Sequence, residues 1–180
     1  SEETDPAQSV RLLRQYSVDG ALVASSTVPM DFGRAFRDAG MPVVHTFGRC
    51  VETPPIHVVG VDNVECGRMA ARALIEHGYR KLAFLGGPES ATSTQDRMRG
   101  FLEVVSATEG VTALQSFADT YSFDAGRNEM QRVLQHAPAE AYFCGDDVLS
   151  IGAISALNSA GLRVPEDVGV IGLNDMEMSR

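Results

Sequence analysis

The chain has little basic charge, few cysteines and no long apolar stretch, and each shortage removes a class of function. Fifteen Lys and Arg against 24 Asp and Glu leave a net charge of −9. A chain so acidic is a poor binder of polyanions by itself, because phosphate contact needs clustered cations. Cys50, Cys66 and Cys144 are an odd number with no C-x-x-C pair; they build neither a disulfide framework nor a zinc site, and buried reduced thiols are expected. The longest apolar runs, Val168 to Leu173 and Ala21 to Ala24, fall far short of the roughly 20 residues that cross a bilayer. The acidic start Ser1-Glu2-Glu3-Thr4-Asp5 lacks the basic and apolar regions of an export leader, and a cytoplasmic setting is the expectation.

Catalytic and phosphate-binding signatures are equally scarce. Gly86-Gly87-Pro88 ends an apolar run ahead of a helical segment, a place where backbone amides can receive an anion. The third glycine of G-x-G-x-x-G and the Gly-Lys-[Ser/Thr] of a P-loop are both missing, so a tight turn is the simpler reading. His45, His57, His77 and His136 are scattered, with no G-x-S-x-G or H-E-x-x-H near them. Asp146-Asp147 without a phosphate loop is a weak magnesium site, and neither a metal nor a cofactor is expected.

What is present is globular material, 44% hydrophobic and 22% charged, with a mean hydropathy of −0.06, too apolar for disorder. Short apolar runs alternate with helical spacing, the pattern of parallel sheets flanked by helices. Ala21 to Ala24, Val43 to His45, His57 to Val59, Leu82 to Leu85, Ala141 to Cys144 and Val168 to Ile171 read as strands. Cys66, Met69, Ala70, Ala73, Leu74 and His77 predict a helix from Asn63 to His77, with Asp62 as cap and Glu65 completing a variant capping box. Met98 to Val105, Met130 to Leu134 and Val148 to Leu157 predict three more helices. Gly78 and Gly161 stand where a helix ends.

Two groups of side chains have binding potential. Ser90, Thr92, Ser93 and Thr94 crowd beside Arg97 and form a fork of donors for hydroxyls, carboxylates or a purine edge. The alternative is a solvated loop, with one hydroxyl capping the helix and Arg97 paired to Asp96 or Glu103. Asp146-Asp147 and Asn174-Asp175 each follow a strand, facing the crevice where open α/β sheets bind ligands. The alternative there is an aspartate that only caps the next helix.

With these residues in view, the chain resembles the effector-binding core of the lactose-repressor/galactose-repressor (LacI/GalR) family, related in fold to periplasmic sugar-binding proteins. The resemblance runs through Val18-Asp19-Gly20-Ala21-Leu22-Val23, Gly40-Met41-Pro42-Val43-Val44, Asp62-Asn63 to Gly67, and Leu74 to Gly87. It continues in Arg97-Met98-Arg99-Gly100-Phe101, which matches R-x-x-G-F, in Phe143 to Ala153, and in Gly161 to Leu173. It implies a two-lobe α/β fold, each lobe a parallel sheet flanked by helices, with a partial N-lobe over 1–79 and a C-lobe over 80–180, both lacking elements.

By the same resemblance Arg97 is the effector-clamping arginine, with Ser93 one turn earlier. Tyr121 is the aromatic that packs on an effector ring, Asn174-Asp175 and Asp146-Asp147 are the polar pairs at the cleft, and Asp62 completes the ligand-facing set. Asn174 departs from the aspartate usual there, Asp146 from the usual asparagine, and Tyr79 from the usual histidine. The implied function is sensing rather than catalysis. A small polar ligand, a sugar or sugar derivative, enters between the lobes and controls operator DNA binding by a headpiece that is not in this chain; the protein works as a homodimer. The competing readings are an exported sugar receptor of the same fold and, third, a sugar-phosphate hydrolase or kinase.

Overall fold

The computed structural model describes residues 5–24, 32–46, 57–136 and 138–179. Contacts divide the chain into two units, Ser1–Val61 and Asp62–Arg180. In the first, Asp5 caps helix α1 (Pro6–Gln15), its carboxylate accepting from Ala7 N at 3.0 Å. Strand β1 (Ala21–Ala24), helix α2 (Phe32–Asp38) and strands β2 (Val43–Thr46) and β3 (His57–Val59) follow, pairing in parallel in the order β1-β2-β3. Val10, Phe32, Phe36, Met41 and Val43 form this unit's core.

The second unit alternates α3 (Asn63–Glu76), β4 (Lys81–Gly86), α4 (Thr92–Ser106), β5 (Thr112–Phe117), α5 (Phe123–His136), β6 (Ala141–Cys144), α6 (Asp147–Ser159) and β7 (Gly169–Ile171). Its parallel sheet has the order β5-β4-β6-β7. Because strand side chains alternate, Leu82, Phe84, Ala141 and Phe143 meet α3 and α4 on one face. Ala83, Leu85, Tyr142 and Cys144 meet α5 and α6 on the other. Covering both faces is what the uninterrupted apolar runs of β4 and β6 require. The first of these cores is aromatic: Phe84 stands 5.5 Å from Phe143, 6.2 Å from Phe101 and 6.4 Å from Phe117, within the range of favourable ring pairing.

Glycines set how closely the helices cross. A Cβ on Gly67 would lie 2.8 Å from Phe101 N and nearer still to Arg97 O, and one on Gly100 would lie 2.8 Å from Val64 C. The pair α5 and α6 repeats the device, with Gly126 against Leu149 Cα and Gly152 against Arg127 N, each at 2.8 Å from the Cβ a larger residue would bring. The glycine of R-x-x-G-F is thus a steric necessity of a close helix crossing.

Three expectations change. The division falls after Val61 rather than after Tyr79, because Ala70, Ala71 and Leu74 of α3 pack on Leu82, Phe84 and Phe101 and so bind that helix to the second unit. Strand β5 was not foreseen: it is an edge strand with Thr112, Leu114 and Gln115 exposed, and it offers no continuous apolar run. Cys66 is half-buried rather than buried, whereas Cys144 is fully enclosed and burial pushes its thiol up to about 12; Cys50 lies outside the described residues. The helix ends are as expected, with Gly78 at φ +94° and Gly161 at φ +79°. Among the described residues no helix is long and apolar enough to cross a membrane.

Candidate functional site

The C-terminal ends of β4, β6 and β7 gather most of the polar residues singled out above. Helix α4 begins just beyond β4 at Ala91, with no side-chain cap, so the hydroxyls that follow are not spent on capping. Thr94 Oγ1 lies 2.7 Å and Ser93 Oγ 3.3 Å from the Tyr121 hydroxyl, and Ser93 and Thr94 are buried. Tyr121, half-buried ahead of α5, covers Gly87, where a Cβ would come 2.9 Å from ring atom Cδ1. The second glycine of the Gly86-Gly87-Pro88 turn therefore makes room for the ring.

Arg97 is only 7% exposed. Its Nε donates to Asn63 Oδ1 at 2.8 Å and its Nη1 donates to the Gly145 carbonyl, two acceptors for a buried guanidinium that carries five N–H donors. Asp96 pairs with Arg99 at 3.2 Å and Glu103 with Arg68 at 2.7 Å. Asn63 is the partner of Arg97 that sequence reasoning missed: it stands 34 positions from Arg97, and no local pattern signals the bond.

Asp146 does take the capping role weighed for it, and its second oxygen meets Asn174. It caps α6, Oδ1 accepting from Val148 N at 3.0 Å, while Oδ2 accepts from Asn174 Nδ2 at 2.9 Å. Asp147, 3% exposed, accepts from Met176 N at 2.6 Å and donates its own N–H to Leu173 O at 3.0 Å. These bonds clip the turn after β7 onto the start of α6. Asn174 and Asp175 take left-handed backbone, φ +109° and +54°, a conformation that Asn and Asp tolerate better than other side chains. Asp175 is exposed. Asp62, also exposed, caps α3 by accepting from Val64 N and Glu65 N at 3.0 Å each. The reciprocal half of the expected capping box is replaced by ion pairs, since the Glu65 carboxylate goes to Arg68 at 3.2 Å and Arg72 at 2.9 Å.

The structure thus links Ser93 to Tyr121, Arg97 to Gly145, and through the next residue Asp146 to Asn174. Asp62 reaches this set only through its neighbour Asn63. The assembly offers hydrogen-bond donors, acceptors and one aromatic ring. Among the described residues no group of three His, Cys, Asp or Glu is placed to hold a metal ion.

Residues 71–180 match the family described as periplasmic binding protein-like domain. The HTH-type transcriptional regulator CelR of Thermobifida fusca is 34% identical over 163 residues, covering 88% of this chain and 47% of CelR. The HTH-type transcriptional repressor PurR of Edwardsiella ictaluri (strain 93-146) is 32% identical over 173 residues, covering 94% of this chain and 50% of PurR. A solved CelR–cellobiose complex is similar with a TM-score of 0.83 at 31% identity, over 93% of this chain and 52% of that one. The chain spans about half the length of the curated relatives it matches. Family match, relatives and doubly covered parallel sheet agree: the chain belongs to the periplasmic binding protein-like domain family, as an effector-binding core of the lactose-repressor/galactose-repressor type.

Proposed function

We propose that this core senses a small polar molecule, a sugar or sugar derivative, at the C-terminal ends of the second unit's strands and passes that event to DNA binding. The observation that carries the reading is the linked set of Arg97, Tyr121 with Ser93 and Thr94, and Asp146 with Asn174 at one end of one sheet. Open α/β sheets bind ligands at that end. Donors and acceptors beside an aromatic ring suit a molecule with hydroxyls around an apolar face, and the similar CelR structure holds cellobiose. The −9 charge of the chain suits a division of labour in which a helix-turn-helix headpiece outside these residues meets the phosphates. Ligand binding then shifts a conformational equilibrium by its differential affinity for two arrangements. A homodimer, a cytoplasmic setting and the absence of turnover belong to the same proposal.

The test is a thermal-shift screen of neutral sugars including cellobiose, polyols and purines, followed by calorimetry on the parent and on Tyr121→Ala. At least one compound should raise the melting temperature, and its binding should be lost in the variant. A panel without a single binder, or binding indifferent to Tyr121→Ala, overturns the reading.

A further inference from the structure

Strand β5 ends the second unit's sheet on one side, and among the described residues no further strand pairs with it. Thr112 N donates to Arg80 O and Ala118 N to Gly86 O, each at 2.9 Å. Successive residues of a strand turn their backbone groups to opposite sides. Thr112, Leu114, Ser116 and Ala118 therefore face β4, while the N–H and C=O groups of Ala113, Gln115 and Phe117 point off the sheet. Such an edge is ordinarily blunted by shortness, a proline, a charge or a bulge. The opposite edge strand, β7, is only three residues long. β5 has six residues, none charged and none proline, and its register runs unbroken from Lys81 opposite Thr112 to Gly86 opposite Phe117.

A groove lies beside this open edge. Met98, Leu102, Val111 and Ala113 give it an apolar lining, with Arg99 and Glu103 among its polar residues, and it leaves about 600 Å³ between α4 and β5. Ala113 and Phe117 pack with the core on the α4 side of the sheet. A strand laid along β5 would turn every second side chain to that same side, into the groove.

Charge selects the occupant. The two charged groove residues are already paired, Arg99 with Asp96 at 3.2 Å and Glu103 with Arg68 at 2.7 Å. Lys81, level with Thr112, shares its side of β4 with Ala83 and Leu85, away from the groove. Exposed acidic residues stand at both ends of the edge, Glu109 before β5 and Asp119 after it. With −9 on the whole chain, a second copy is repelled at long range and a cationic segment is drawn in.

We propose that the outer edge of β5 and its groove take up an extended segment of another protein as a fifth strand, uncharged where it lies along Ala113 to Phe117 and carrying lysine or arginine at both ends. Main-chain bonds supply the affinity and the groove reads alternate side chains, as in other cases of strand addition. Glu109 and Asp119 set the preferred sign of charge. Docking at this edge needs no effector.

The experiment is backbone amide exchange by ¹⁵N nuclear magnetic resonance on the chain alone and with the end-capped peptide Lys-Lys-Thr-Val-Thr-Val-Thr-Val-Lys-Lys at up to about 1 mM, which reaches weak binding. In the chain alone, the amides of Ala113 and Gln115 should exchange far faster than those of Leu114 and Ser116. The peptide should slow Ala113 and Gln115 roughly tenfold, as amides that gain a partner do. The same peptide with glutamate for lysine, or with every Thr and Val amide N-methylated, should leave them unchanged. Gln115→Pro removes an outward N–H and no bond to β4, and should weaken peptide binding about tenfold. Glu109→Lys combined with Asp119→Lys changes two exposed residues and should reverse the preference in favour of the glutamate-flanked peptide.

No protection by the lysine-flanked peptide, equal binding of both peptides, or a preference unmoved by the double charge reversal overturns the proposal. Ala113 and Gln115 amides already protected in the chain alone, together with a dimer in sedimentation that Gln115→Pro breaks, would give the edge to a second copy and overturn it too. If Gln115→Pro does not fold, the charge reversal decides, since it leaves the strand itself untouched.

Discussion

Gly67→Ala tests the helix crossing and the site in one substitution. The added methyl would fall 2.8 Å from Phe101 N and closer to Arg97 O. Both are backbone atoms of α4, so no side chain can swing away, and α3 and α4 must separate to restore an ordinary contact near 3.4 Å. Overpacking of this kind costs typically ~1–3 kcal/mol; rigid backbone neighbours place this case near ~3. Alanine returns ~1 kcal/mol through better helix propensity, leaving a net loss of about 2 kcal/mol, or roughly 4–8 °C in melting temperature for a chain of this size.

Gly161→Ala is the control, because Gly161 has φ +79° and nothing within 4 Å of its would-be Cβ. Its cost is the left-handed conformation alone, about 1–2 kcal/mol, with no effect on Arg97. Circular dichroism at 222 nm reads both melts, and the Arg97 Nε resonance reports whether its bond to Asn63 survives. A Gly67→Ala protein that melts within about 1 °C of the parent, with that resonance unmoved, would refute the claim that glycine sets the crossing.

Arg97→Ala should destabilise the fold as well as weaken ligand binding, by ~1–3 kcal/mol in urea unfolding, because it strands the buried Asn63 and the Gly145 carbonyl without their donor. Tyr121→Phe should cost about 1 kcal/mol in the same assay, because Thr94, 1% exposed, loses its 2.7 Å partner; equal stability would show that the hydroxyl contributes nothing. Arg163 holds the Asp167 carboxyl down to about 2, and the N–H groups of Arg80 and Lys81 hold the Glu140 carboxyl below its ordinary value. A depressed folded-state value gives stability that is present above the unfolded value near 4 and lost as pH falls toward 2. The melting temperature should drop over that window, and Asp167→Asn should start lower and flatten the drop. Thiol labelling of the native protein at pH 8, mapped by mass spectrometry, should leave Cys144 unmodified.

The sequence made the frame legible because its signals are local. Spacing located α3 to within a residue, Asp62 was read correctly as its cap, and the apolar runs of β4 and β6 announced strands covered on both faces. Edge strand β5 escaped because a strand exposed along one side carries mixed residues. The polar pairs lie beyond the strands where they were expected, yet their partners were hidden. The bonds from Arg97 to Asn63 and from Asn174 to Asp146 join positions 34 and 28 apart, and only the assembled sheet brings them together. The boundary between the units was misplaced for a related reason, since which sheet a helix like α3 joins depends on contacts with Leu82 and Phe101 and not on its own periodicity.

The sheet of the second unit is also a partition. Neighbours such as Phe84 and Leu85 look into different interiors, one holding the rings of Phe84, Phe101 and Phe143 and the other mostly aliphatic chains around Tyr142. Arg97 is mounted on a helix rooted in the first interior, and Tyr121 stands at the foot of a helix rooted in the second. Repacking one interior should leave the other nearly undisturbed, as energies of separated residues add. A molecule that touched both Arg97 and Tyr121 would act as a tie bolt across the partition, reinforcing the bonds that Thr94 and Ser93 of α4 already make to the Tyr121 hydroxyl beyond the ends of the strands.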